Sequence, residues 1–268
     1  MIESLSVLPD VLVRAIYYTP VLISLFLTTF LTVSNFENIK KHFSKIRKNT
    51  WIIFTIILLV SVILRTYLPL CDDSRFWEAA FIGKDMLKGG EMSIFSTTQP
   101  TGYPILLSIF YSITETSYIS TIYFNILVST MTVVLVFLIT YLITKDDTAS
   151  LFSMIFMTIF PTSLFFSQFC DTITTSAFFL TFSVFFFIIS LKTKKESMLL
   201  ITSFLSIISV YVRLENFFII PAIFTICYIT LMRNKIDFKK IVKPILFFLI
   251  LSAPLYLYVM DGHKTFKN

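Results

Sequence analysis

Long apolar runs separated by short polar connectors dominate the chain. The runs cover about 15–33, 51–68, 118–143, 148–168, 172–191, 197–212, 216–232 and 244–260. Most match the roughly 17 to 25 residues that carry a helix across about 30 Å of hydrocarbon. The pattern predicts an all-α fold, a polytopic transmembrane helical bundle of about eight helices. Pro161, Pro221 and Pro254 fall inside runs or near their ends, where a missing N–H and a ring clash kink a helix. No internal repeat or low-complexity linker interrupts the series, so residues 1–268 read as a single domain.

One connection is long, the loop over 69–117 that follows the second run. In its first part Phe76, Ala79, Ala80, Gly83 and Leu87 form one stripe, with Glu78, Asp85 and Lys88 opposite. This predicts an amphipathic helix lying in the membrane interface, ended by Gly89-Gly90. The apolar stretch 105–113 is too short to span and is expected to dip into the bilayer or pack beside it.

Charge orients the series. The densest basic cluster, Lys40-Lys41-His42 with Lys45, Arg47 and Lys48, is assigned to the cytoplasm by the positive-inside rule. The remaining connectors then alternate without adjustment. Lys145, Lys192-Thr193-Lys194-Lys195 and the basic segment 233–243 fall inside. Asp72-Asp73, Phe169-Cys170-Asp171 and Arg213-Leu214-Glu215 fall outside, as do both termini. The first run is read as a span and not as a cleaved signal, because Arg14 is a lone cation and no small-residue cleavage site follows.

Composition narrows the class. Of the 268 residues, 56% are hydrophobic and 14% charged, and the mean hydropathy is +0.84. A soluble domain would carry about a quarter charged residues. The net charge of +6 sits in the connectors, not on a basic face with exposed aromatics, so nucleic acid is not an expected partner. Three cysteines without a CxxC pair exclude a structural zinc site. His42 and His263 are expected on opposite sides of the membrane in this topology, so a histidine metal site is not expected.

The outer connectors carry the candidate chemistry. Asp72 and Asp73, Asp171, and Arg213 with Glu215 come from three separate connections assigned to one face. Any one alone would read as a solvated helix end. Together, paired carboxylates supply a base and an orienting partner, since two close acids titrate apart. An arginine at the same face suits a phosphate, through charge-assisted and often bidentate hydrogen bonds. A base and a phosphate clamp at a lipid interface point to transfer of a group from a lipid phosphate.

The same residues carry a resemblance. The Asp72-Asp73 pair after a transmembrane run, Ser74-Arg75-Phe76, an Ala-rich helix, Gly89-Gly90 and Gln99-Pro100-Thr101-Gly102-Tyr103-Pro104 resemble the first outer loop of GT-C fold glycosyltransferases. The likeness is to the protein O-mannosyltransferase and lipid A aminoarabinose transferase group. Ser167-Gln168-Phe169-Cys170-Asp171 resembles the second outer acidic position of that group, and Tyr211-Val212-Arg213-Leu214-Glu215 its arginine-bearing turn. Phe76 stands where the group usually has Tyr, and Pro100-Thr101-Gly102-Tyr103 replaces a double proline.

The resemblance implies an inverting hexosyl transfer from a polyisoprenyl-phosphate-linked sugar to a protein, lipid or glycan acceptor, at the extracytoplasmic face of a multi-pass cell-membrane protein. It implies Asp72 as general base, with Asp73 orienting it or holding hydroxyls. Arg213 would stabilise the departing lipid phosphate, with Lys84 or Lys88 in reach, while Asp171, Glu215, Gln168 and Tyr103 line the site. No cofactor is required, since protein cations suffice for a monophosphate leaving group; a divalent ion on Asp72 and Asp171 is the alternative. The group commonly extends further at its C-terminus and lacks the helix before the basic cluster, so a short or truncated member is expected.

Two further expectations stand beside it. Cys71 precedes Asp72 and Cys170 precedes Asp171, so the sulfurs either pair as a disulfide or pack as separate thiols. The rival functions are a non-catalytic homologue and a transporter or flippase for a lipid-linked sugar. The latter would place polar groups near the midplane with repeat symmetry, not at one face.

Overall fold

The helix Lys48–Tyr67 shows how this chain packs. Thr50, Phe54, Ile57, Ser61 and Arg65 recur at helical spacing and are buried. Ile52, Ile53, Ile56, Leu59, Val60 and Ile63 are exposed. A helix in water turns its polar residues outward. Here two hydroxyls and a guanidinium point inward and the apolar belt faces out, as hydrocarbon solvent requires.

The structure, a computed structural model, describes residues 10–67, 102–231 and 243–255. These form α1 (Asp10–Ser34), α2 (Phe36–Lys41), α3 (Lys48–Tyr67), α4 (Gly102–Tyr111), α5 (Tyr118–Thr144) and α6 (Asp147–Ile159). There follow α7 (Pro161–Ser167), α8 (Thr172–Thr193), α9 (Glu196–Val212), α10 (Asn216–Leu231) and α11 (Lys243–Leu255). No strand occurs among the described residues. Each apolar run overlaps a helix. By length and composition α3, α5 and α8 can cross a membrane, and α6 with α7 makes a fourth if that bent pair is one span.

The run over 148–168 is not one straight rod. It breaks at Phe160, whose ψ of 116° is extended, and α7 leaves at 53° to α6. Pro161 is the first residue of α7, where its missing N–H costs nothing. Pro221 lies within α10 without ending it.

The stretch predicted to dip or pack beside the bilayer is α4, and it lies inside the bundle. Gly102, Tyr103, Pro104, Ile105, Leu106, Leu107, Ser108 and Tyr111 are all buried. Tyr103, Leu107 and Tyr111 join the main core, a cluster that runs along the bundle through Phe186 and Ile189 of α8 and Ile201, Ile208 and Val212 of α9 and includes Leu142 near the far end of α5. A second cluster seats Val21 of α1 against Ile207 and Tyr211 of α9 and Leu255 of α11. A third joins Phe54 and Ile57 of α3 to Val133, Phe137 and Tyr141 of α5 and Met154 of α6. Small hydroxyl residues, among them Ser176 and Ser183 of α8 and Ser203, Ser206 and Ser209 of α9, are buried. Such residues let helix backbones approach closely in lipid.

Cations collect at one end of the bundle. Arg47 pairs with Asp147 at 2.8 Å, Lys145 Nζ donates to the His42 carbonyl at 3.4 Å, and Lys243 pairs with Glu196 at 3.1 Å. Lys192 Nζ donates to the Leu142 carbonyl. Lys145 and Lys194 close α5 and α8 there in left-handed conformations, φ 58° and 56°, beside the negative helix ends that favour cations. The acidic and arginine-bearing turns lie at the other end.

Candidate functional site

At that other end the geometry begins with Gly102. A Cβ on Gly102 would stand 2.5 Å from both the carbonyl carbon and oxygen of Tyr211, and 2.8 Å from the Val212 nitrogen. The first turn of α4 therefore lies directly on the last turn of α9, just before Arg213, and only glycine fits.

The next residue, Tyr103, is fully buried. Its hydroxyl donates to Asn125 Oδ1 of α5 at 3.3 Å. Asn125 Oδ1 also accepts from Thr175 Oγ1 of α8 at 3.4 Å, and Asn125 Nδ2 donates to the Phe169 carbonyl. This amide ties α4, α5 and α8 to the turn that carries Cys170 and Asp171. Burial raises the Tyr103 phenol well above its ordinary pKa, so it stays a neutral donor.

Asp171 caps α8. Its Oδ1 accepts from the Ile173 N–H at 3.2 Å and from Thr172 Oγ1 at 3.0 Å, the usual service of an aspartate before a helix. Cys170 beside it is a free, buried thiol; burial pushes its pKa up to about 12, so it is not a nucleophile at neutral pH. Gln168 ends α7 and is 1% exposed. Neither its Nε2 nor its Oε1 has a hydrogen-bond partner among the described residues. A buried amide so placed lacks about 1–3 kcal/mol of compensation, and a polar ligand group would supply it.

Arg213 and Glu215 form the turn from α9 to α10. Nη2 meets Glu215 Oε1 at 3.0 Å and Nε meets Oε2 at 3.4 Å. This leaves Nη1 without a partner among the described residues, open to a second anion. The Glu215 hydrogen bond holds the Arg213 pKa above its ordinary value against partial burial, and the charges of Glu215 and Asp171 add to the effect. Glu215 is in turn held below the usual carboxylate range, chiefly by Arg213. Asn216 anchors the turn, donating from Nδ2 to Ser176 Oγ and Ser209 Oγ, each at 2.7 Å, and to the Ser209 carbonyl at 3.0 Å.

Of the residues expected to form a site, Tyr103, Gln168, Asp171, Arg213 and Glu215 thus belong to one end of the bundle. Asp72, Asp73, Lys84, Lys88 and Cys71 lie outside the described residues, as does the amphipathic helix expected near 76–87. Among the described residues no three His, Cys, Asp or Glu side chains group as for a metal ion.

Three polar residues escaped the sequence reading. Asn125 and Asn216 are the connectors just described. Arg65, fully buried on α3, donates to Ser129 Oγ at 2.8 Å, Ser61 Oγ at 2.6 Å and Ser163 Oγ at 2.9 Å. It also reaches the Thr158 carbonyl at 3.4 Å and the Met157 carbonyl at 3.5 Å. Pro161 has no N–H to give Met157, so Arg65 secures the α6–α7 break. The available signal was a lone cation or carboxamide within an apolar run, because such groups are rare in lipid without a buried partner.

Comparison of the chain with family models, with curated proteins and with solved structures finds no match.

Proposed function

We propose that the chain is a multi-pass membrane glycosyltransferase of the GT-C kind, transferring a hexose from a polyisoprenyl phosphate to an acceptor hydroxyl or amine. The observation that carries this reading is the union of two distant turns. The Gln168–Asp171 stretch and the Arg213-Glu215 turn are both knit to the first turn of α4. Tyr67 and Gly102, which flank the segment bearing Asp72 and Asp73, are the last and first residues of α3 and α4. The basic connectors gather at the opposite end, which the positive-inside rule assigns to the cytoplasm. The transfer end is then extracytoplasmic, with the eight apolar runs as spans and the 76–87 helix in the interface.

In this reading Asp72 takes the acceptor proton as the acceptor oxygen or nitrogen attacks the anomeric carbon. The bond from that carbon to the phosphate oxygen breaks with inversion, and the electron pair leaves on the lipid phosphate. Arg213, through Nη1, receives the phosphate charge in a partly desolvated setting where charge-assisted bonds are strong. Lys84 and Lys88 are further cations for it. Asp73 orients Asp72, the Gln168 amide, without a partner among the described residues, is a polar group toward the sugar, and Tyr103 lines the site from beneath through its bond to Asn125.

Photo-crosslinking with a polyprenyl-phosphate hexose carrying a diazirine tests the donor role. The wild-type chain in nanodiscs is labelled and the unlabelled donor competes. Arg213→Gln lowers labelling by about tenfold or more, as loss of one charge-assisted contact implies. Equal labelling of both removes Arg213 from the phosphate. Movement of the donor across vesicles without transfer favours the flippase instead.

A further inference from the structure

The basic end of the bundle holds a cavity of about 680 Å³, within the range of small-ligand sites. It is walled by Lys41 at the end of α2, by the connector from α2 to α3 with His42, Lys45 and Arg47, and by the α5–α6 turn with Lys145, Asp146 and Asp147.

Its carboxylates are already committed. Asp147 Oδ2 accepts from Arg47 Nε at 2.8 Å, from the Arg47 N–H at 3.3 Å and from Thr50 Oγ1 at 2.7 Å. Asp146 Oδ1 caps α6, accepting the Thr148 N–H at 2.8 Å. Lys41, Lys45 and Lys145 have no acidic partner among the described residues. Lys145 is held in place, 5.1 Å above the Tyr141 ring, with its Nζ bonded to the His42 carbonyl. Burial, then the charges of Lys145 and Lys192, lower the His42 pKa. Burial, then Lys192 and Lys45, lower that of Lys145. The cleft therefore sets Lys41, Lys45, Arg47 and Lys145 against two carboxylates, of which Asp147 is paired with Arg47 and Asp146 caps a helix, and it keeps a net positive charge.

We propose that this cleft binds a phosphate-bearing anion, with Lys41, Lys45 and Lys145 as its cationic contacts and the His42 ring as a hydrogen-bond partner. A phospholipid headgroup and a soluble phosphorylated compound share the chemistry. Phosphate offers several acceptor oxygens, and the lysines and imidazole offer donors without rearranging the Arg47–Asp147 pair. The cleft is at the end opposite Arg213, so it does not rest on the sugar-transfer reading.

The full chain is placed in phosphatidylcholine nanodiscs and titrated with inorganic pyrophosphate by calorimetry. In a second arm, native mass spectrometry counts phosphatidylglycerol molecules retained from mixed phosphatidylcholine and phosphatidylglycerol micelles. Binding in the first arm alone identifies a soluble ligand, and retention in the second alone identifies a headgroup. Lys41→Gln with Lys45→Gln and Lys145→Gln reduces the positive arm by about tenfold or more, whereas Lys194→Gln with Lys195→Gln and Lys243→Gln changes it by less than about twofold. The control removes the same charge at the same end outside the cleft. Lys45→Gln alone, checked by its elution profile, weakens binding by about threefold and guards against misfolding of the triple variant. Absence of binding in both arms overturns the proposal, as does an equal loss in the control, which would mean diffuse charge attraction.

Discussion

Replacing Gly102 by alanine puts one methyl group where two helix backbones meet. The new Cβ would stand 2.5 Å from the carbonyl carbon and oxygen of Tyr211, against an ordinary contact beyond about 3.4 Å. Neither atom can rotate aside, because both belong to the backbone of α9. The first turn of α4 must withdraw by close to an ångström from α9, and the fully buried Tyr103 side chain withdraws with it. Overpacking of this kind costs about 1–3 kcal/mol. Alanine returns up to about 1 kcal/mol through its better helix propensity and a less flexible unfolded chain. The clash exceeds that gain, so a net loss of about 1–2 kcal/mol is expected, lowering the melting temperature by about 2–8 °C for a chain of this length. Thermal unfolding of the detergent-solubilised protein, followed by size-exclusion fluorescence, reads the shift. The withdrawal also stretches the 3.3 Å bond from Tyr103 to Asn125, so donor labelling falls with stability. A Gly102→Ala protein that melts with the wild type and labels equally would refute the close approach.

Arg65→Lys keeps the charge but loses the planar fork that reaches Ser61, Ser129 and Ser163 together; a loss of about 1–3 kcal/mol is expected in the same melting assay. Glu215 has a folded pKa below its ordinary 4.5, so its stabilisation is present above pH 4.5 and lost as pH falls through the folded value. Wild type therefore exceeds Glu215→Gln by at most about 1 kcal/mol at neutral pH, the pair being exposed, and the gap closes in acid. His42 has a folded pKa below its ordinary 6.5; as pH falls below 6.5 the unfolded chain takes up the proton first and stability declines. Lys145→Gln raises the His42 pKa by removing a neighbouring charge, which NMR of the labelled imidazole can follow.

The helices were legible because lipid requires about 20 consecutive apolar residues, a pattern that needs no knowledge of partners. The break at Pro161 was legible as a kink, but the burial of α4 among other helices was not. Ile105, Leu106 and Leu107 are apolar on every side, and a short run of that kind reads the same in a core and at a lipid surface. Asp171, Arg213 and Glu215 were visible as the charges of otherwise weakly charged connectors. Their union was not, because it runs through Asn125, 44 positions from its Phe169 partner, and through a contact that depends on the absence of a side chain at Gly102. Arg65 was hidden for a related reason: its serine partners are 4, 64 and 98 positions away. Asp72 and Asp73 rest on their sequence context alone.

Sugar transfer is the most direct measurement. Membranes containing the full chain are supplied with labelled polyprenyl-phosphate hexoses, and label entering protein, lipid and glycan fractions is counted for wild type and Asp72→Asn. General-base catalysis is worth about 10²–10⁴-fold, so wild type should transfer from at least one donor and Asp72→Asn should fall at least about a hundredfold. Equal transfer by both, or none by wild type from any donor, would contradict the glycosyltransferase reading.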